Sequence, residues 1–205
     1  MFSNIKIKVY FQPIISIKDK KIFAFEALVR GFNKKNNLIT PDILLEKAKK
    51  DKVIEEFDNY IRQKAIRKFK NYYDEDENLL LFLNFESSVI EKSEKYNFNL
   101  DFVKEVERLN INKKNIVLEI KEDTISNIKA LNTFCKKHKD LGFIIAIDDF
   151  GTGYSSFDRL AIIQPDIVKI DRSLISNIEN NYINSSILKS IVDISNKIGA
   201  LTLAE

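Results

Sequence analysis

The 205-residue chain has one cysteine, one histidine and no tryptophan, with only three prolines and five glycines. A lone cysteine, Cys135, excludes an internal disulfide, so stability must come from a packed core. A lone histidine, His138, removes zinc sites of the usual His/Cys kind and permits a Ser-His or Cys-His catalytic pair only if it is the base. It stands in the run Lys136-Lys137-His138-Lys139, which reads as a solvated helix face. An excess of one charge is also missing. The 33 Lys and Arg against 30 Asp and Glu leave +3, too little to indicate nucleic acid as a partner. No run approaches the roughly 20 apolar residues of a membrane span, and residues 1–10 lack the apolar centre of a secretory signal. No linker or low-complexity tract interrupts the chain. These absences predict one domain over residues 1–205 in a reducing, cytoplasmic setting. A 44% hydrophobic and 31% charged composition provides both its core and its solvated surface.

Short apolar runs rich in β-branched and aromatic residues predict strands at Val9–Ile14, Ile22–Val29, Leu79–Phe85, Ile116–Ile120, Phe143–Ile147, Ile167–Ile170 and Leu201–Ala204. Segments with apolar residues at helical spacing lie between most of them. Thr40-Pro41 reads as an N-cap and first helical residue. Phe57, Ile61, Ala65 and Phe69 make a buried stripe, as do Leu131, Phe134 and Leu141, then Ile187, Leu188, Ile191 and Ile194. The first two strands are separated only by Ile15–Lys21, too short for a parallel crossover, so they form an antiparallel hairpin. Later strands have room for helices and are expected to be parallel. The acidic run Asp74-Glu75-Asp76-Glu77 reads as a solvated loop. This alternation fits either an open sheet or a barrel.

The polar residues at the strand ends separate these options. Glu26, Asn84, Glu119, the pair Asp148-Asp149, Lys169 with Asp171, and Glu205 each fall at or next to the C-terminal end of a strand. In a (β/α) barrel those ends converge on the face that carries the active site. Glu, Asn and Asp are hard oxygen ligands that suit Mg2+ or Mn2+. Crowding so many carboxylates without cations is unfavourable, so paired divalent ions and phosphoryl-transfer chemistry follow. Lys169 adds a positive group suited to orienting a water or a phosphate oxygen. Directly after Asp149-Phe150, Gly151-Thr152-Gly153-Tyr154-Ser155-Ser156 forms a tight loop over a strand end.

Glu26-Ala27-Leu28-Val29-Arg30, preceded by Gln12-Pro13-Ile14, resembles the opening of an EAL domain, the cyclic-di-GMP phosphodiesterase family. Asp148 to Ser156 is similar to that family's DDFGTGYSS loop, Lys169-Ile170-Asp171 to its KID element, and Ala204-Glu205 to the start of its AEG(V)E element. The resemblance spans practically the whole chain, with the motifs in order. It implies a TIM-like (β/α) barrel with an antiparallel first strand, and Mg2+- or Mn2+-dependent hydrolysis of cyclic di-GMP to linear pGpG. It implies Glu26, Asn84, Glu119 and Asp148 as ligands of a first metal, and Asp148 and Asp149 as ligands of a second. Lys169 and Glu205 would position and activate the water, with Asp149 also counted among the catalytic groups. By the same resemblance Gln12, Leu28 and Arg30 contact substrate, Glu122 anchors the Gly151–Ser156 loop, and a homodimer is a further expectation.

Three departures accompany it. The family's ELTE stands here as Glu119-Ile120-Lys121-Glu122, with Lys121 either neutralising the acidic cluster or pointing out above it. Glu86 replaces a serine after Asn84. The chain ends at Glu205, whereas the family continues through an eighth strand and a final helix, so seven of eight strands are expected. An excerpt of a longer protein, a barrel completed by another chain, and an impaired site are all consistent with that. The alternative function is therefore a non-catalytic cyclic-di-GMP receptor or protein-interaction module. Enolase-like barrels also carry strand-end carboxylates and lysines, but nothing else supports them, and glycerophosphodiesterase-like barrels need histidines that His138 alone cannot supply.

Overall fold

The computed structural model describes residues 4–92, 101–121, 125–151 and 156–205. It opens with strands β1 (Ile5–Ser16), β2 (Lys21–Asn33) and β3 (Leu38–Ile39), followed by helices α1 (Pro41–Lys50) and α2 (Ile54–Glu75). Next come β4 (Leu80–Phe85), α3 (Ser87–Lys92), α4 (Asp101–Arg108), β5 (Ile116–Lys121), α5 (Ile128–Asp140) and β6 (Ile144–Phe150). The order closes with α6 (Ser156–Ile163), β7 (Ile167–Ile170), α7 (Arg172–Ile175), α8 (Tyr182–Lys197) and β8 (Leu201–Ala204). The chain divides into two compact units, Met1–Asn84 with Asn97–Ile116, and Phe85–Tyr96 with Val117–Glu205. No helix among the described residues is long and apolar enough to cross a membrane.

In the first unit β1 and β2 form the expected antiparallel hairpin. Its turn closes where the Lys20 N–H donates to the Ser16 carbonyl at 2.8 Å, with Lys20 at a φ of 54°. β4 runs parallel to β2. The two-residue β3, which no periodicity could reveal, adds to β2 on its other side. Phe57, Ala65 and Phe69 of α2 are fully buried, and Ile61 is half-buried. Phe11, Phe25 and Tyr72 meet in tilted and edge-on pairs with centroids 4.9–5.6 Å apart, which seats α2 against the hairpin. The acidic run divides: Asp74 and Glu75 finish α2, and Asp76 and Glu77 are exposed beyond it.

The second unit carries the parallel ladder β5-β6-β7-β8. His138 corrects the sequence reading. It is 0% exposed, because Leu131, Phe134, Cys135 and His138 fall at helical spacing on the buried face of α5 while Lys136 points to solvent. Its ring lies 4.2 Å from that of Phe134 and 5.9 Å from that of Phe143. Its Nδ1 is 2.9 Å from the Phe134 carbonyl, an acceptor, so that nitrogen carries the proton. Burial pushes the neighbouring Cys135 thiol up to about 12, so it is not a nucleophile. In α8, Ile191 is buried, but Ile187, read as core, is 42% exposed.

An ion-pair cluster fixes α4 on α2 in the first unit. Glu105 accepts from Arg108 Nη2 at 2.7 Å and from Arg67 Nε at 2.5 Å, and these bonds hold its carboxyl down to about 2. The unfolded chain therefore takes up this proton first as pH falls. The stabilisation is present above the ordinary glutamate value of 4.5 and is lost as pH drops from there to about 2. Glu105→Gln is expected to lower stability at pH 7 by about 1–2 kcal/mol and to flatten the acid limb of the denaturation midpoint against pH. An unchanged acid limb would show that the cluster does not hold.

Candidate active site

In the first unit the hairpin register gathers one set of predicted residues. Gln12 pairs with Glu26, and alternation along β2 puts Leu28 and Arg30 on the same side as Glu26. Glu26 is also in register with Phe82 of β4, so Asn84, two residues on, shares that side. Asn84 Nδ2 donates to Glu26 Oε1 at 3.5 Å. Arg30 is half-buried and its Nη1 donates to the Val29 carbonyl at 2.8 Å.

In the second unit the parallel register does the same. Glu119 pairs with Ala146, Lys121 with Asp148, and Lys169 with Leu203, so the side chains of Glu119, Asp148, Lys169 and Glu205 all issue from one face. Lys169 is 1% exposed, and its Nζ lies 2.6 Å from Glu119 Oε1, 2.7 Å from Asp148 Oδ1 and 2.6 Å from Glu205 Oε1. One ammonium, with three protons to give, thus meets three carboxylates. Glu119 is as deeply buried as the lysine, while Glu205 keeps 27% of its side chain exposed. Burial pushes the Glu205 carboxyl above the usual glutamate range, and the bond from Lys169 pulls against that.

Asp148 and Asp149 are consecutive, and regular alternation would send them to opposite faces. The ladder between β6 and β7 prevents that. Ile147 pairs with Val168 and Phe150 with Ile170, so three steps on β6 match two on β7. This bulge sets both aspartates opposite the single Lys169, and Asp149 takes a left-handed φ of 55° to achieve it. Asp149 Oδ2 is bound by Lys121 Nζ at 2.8 Å. Lys121 therefore neutralises part of the cluster while staying 51% exposed. Gly151 follows at a φ of 102°, where any Cβ would run into Leu174.

The remaining readings separate. Asp171, grouped with Lys169 from sequence, instead caps α7 by accepting from the Ser173 N–H at 2.8 Å. Glu86 caps α3: its carbonyl accepts the Val89 N–H at 2.9 Å and its side chain the Ser88 hydroxyl at 3.3 Å. Glu122 and residues 152–155 of the glycine loop lie outside the described residues. Sequence reasoning missed that Lys169 is a hub, since no spacing reveals that three strands aim at one nitrogen.

The donor set fits a hard cation. Asp148, Asp149 and Glu205 each offer a carboxylate oxygen within 4.8 Å of the others. An ion with oxygen ligands at about 2.0–2.6 Å has its ligands no further apart than about 5 Å. The group contains no sulfur or imidazole. Three carboxylates on one lysine leave negative charge in excess, which a divalent ion would neutralise.

A family model described as EAL domain matches residues 1–205. The cyclic di-GMP phosphodiesterase NbdA of Pseudomonas aeruginosa is 27% identical over 203 residues, covering 98% of this chain and 25% of that protein. A standalone EAL protein of Vibrio cholerae O395, solved with c-di-GMP bound, has 28% identity and a TM-score of 0.81 over 97% of this chain and 80% of that one. The Bacillus subtilis YkuI protein, solved with c-di-GMP and calcium, has 27% identity and a TM-score of 0.77 over 97% of this chain and 47% of that one. The fold class read from the sequence stands on these likenesses. The chain spans between a quarter and a half of the length of the curated relatives first matched.

Removing Lys169 leaves its buried carboxylates uncompensated. Lys169→Met is expected to lower the stability of the metal-free chain by about 3–5 kcal/mol, read from urea denaturation. A loss below about 1 kcal/mol would contradict the three-carboxylate grip.

Proposed function

Because the chain belongs to the EAL domain family, we propose that it is a metal-dependent phosphodiesterase that opens cyclic di-GMP to linear pGpG. The observation that carries this reading is the excess of carboxylate around Lys169, with Asp149 beside it on the bulge. The family's roles support Glu26, Asn84, Glu119 and Asp148 as ligands of one Mg2+ or Mn2+, and Asp148 and Asp149 as ligands of another. When bound, such ions supply positive charge at the phosphoryl oxygens and lower the pKa of water.

The chain's own residues do the rest. Lys169 holds Glu119, Asp148 and Glu205 at fixed spacing, so the ligand set is ordered before any ion arrives. Glu205 accepts the proton of the attacking water. The water oxygen forms the new bond to phosphorus, the bond to one ribose oxygen breaks in line, and that oxygen takes a proton from solvent as it leaves. Arg30 has the charge and fork geometry for the second phosphate, with Gln12 and Leu28 beside it on the same sheet face. By the family's roles, Glu122 would anchor the glycine loop. With a nucleotide messenger as its substrate, the cytoplasm is the proposed compartment and a homodimer the proposed assembly.

The Lys121–Asp149 ion pair favours a second reading, a cyclic-di-GMP receptor with impaired turnover, because it occupies a carboxylate that catalysis assigns to an ion. Incubating the chain with cyclic di-GMP and Mn2+ or Mg2+, and following pGpG by chromatography, decides between them. Metal-dependent product that EDTA abolishes is the expected result, and tight binding without product would favour the receptor. Glu26→Ala is expected to reduce turnover by about 100-fold or more with the fold intact; undiminished turnover would sink the ligand assignment.

A further inference from the structure

Two lysines serve the acidic group of the second unit, and they are held very differently. Lys169 is sealed at 1% exposure in the grip of three carboxylates. Lys121 is the residue that stands where the family pattern has threonine. It sits at the end of β5 in register with Asp148, is 51% exposed, and reaches Asp149 Oδ2 at 2.8 Å. Its ammonium therefore lies against the carboxylate that the proposed function gives to the second ion.

We infer that Lys121 is a built-in competitor for the divalent cation at Asp149, so that this chain fills its second metal position only at higher metal concentration than its first. The inference rests on the metal-dependent reading above. An ion entering at Asp149 meets a carboxylate oxygen already engaged, and a positive charge within a few ångströms of its own position. Lys121 can leave, because half of its side chain is in water and its flexible stem can carry the ammonium outward. It acts as a displaceable counter-ion, whereas Lys169 is a fixed one. The first position also has an ammonium against it, Lys169 on Glu119 and Asp148. The proposed function gives it four protein ligands where the second has two, however, and Lys169 is the same in every Lys121 variant. The cluster thereby keeps its charge partly balanced at low metal concentration.

The test uses Mn2+ alone, titrated into the 205-residue chain by calorimetry, with free Mn2+ counted by electron paramagnetic resonance. The wild-type chain is expected to show a tighter and a weaker class of ion. In Lys121→Thr the weaker class tightens on the order of tenfold while the tighter class is unchanged. Lys121→Arg, which keeps the charge, retains the weak class, and Lys121→Gln repeats the threonine result should that variant fold poorly. Circular dichroism and thermal melting confirm the fold of each. If Lys121→Thr, Lys121→Gln and wild type bind Mn2+ identically, the inference is overturned and the metal reading stands. If no folded form binds Mn2+, both are overturned.

Discussion

A buried ammonium shared by three carboxylates organises the second unit. Lys169 could not be sealed from water without counter-charges, and Glu119, Asp148 and Glu205 could not be crowded together without a cation among them. Each solves the other's desolvation, and the solution dictates register. β5, β6, β7 and β8 must align so that four side chains issue from one face, and the parallel ladder delivers that alignment. The single positive charge does not balance three negative ones, so the arrangement is stable enough to persist and still attractive to a divalent ion.

The bulge in β6 is the second constraint. A regular strand offers one side chain to a face at every other residue, which spaces ligands too far apart along the chain for one acidic step to serve two positions. Inserting an extra residue between Ile147 and Phe150 sets Asp148 and Asp149 opposite Lys169, at the cost of a left-handed backbone at Asp149. Aspartate tolerates that region better than most residues. Gly151 then takes the next positive φ, where Leu174 leaves no room for a side chain. The DDFG sequence thus encodes a shape as well as a pair of carboxylates. Lys121, reaching the displaced Asp149, ties the same bulge to β5.

Much of this was legible in the residues. The strands were visible because their apolar runs are short and bounded, and the hairpin because seven residues cannot cross over. Strand-end carboxylates pointed to hard cations before any geometry was known, and the motif order pointed to the family. What stayed hidden has physical reasons. His138 was misread because its charged neighbours in sequence lie on other faces of the helix, while its real neighbours are Phe134 and Phe143. Asp171 looked like a member of the acidic group, yet its carboxylate is committed to the α7 N-terminus. β6 was ended at Ile147 with the two aspartates placed just past its end, whereas it runs on to Phe150, and a bulge leaves no periodic trace. The hub role of Lys169 depends on three separate strands meeting at one atom, which is a property of register rather than of sequence.

The central claim is that the carboxylates around Lys169 and on the bulge are a divalent-cation site. Anomalous diffraction at the manganese edge, from crystals of this chain soaked in Mn2+, tests it most directly. The account predicts a peak within about 2.0–2.6 Å of a carboxylate oxygen of Asp148. Crystals that show no anomalous density at Asp148, Asp149 or Glu205 under saturating Mn2+ would contradict it.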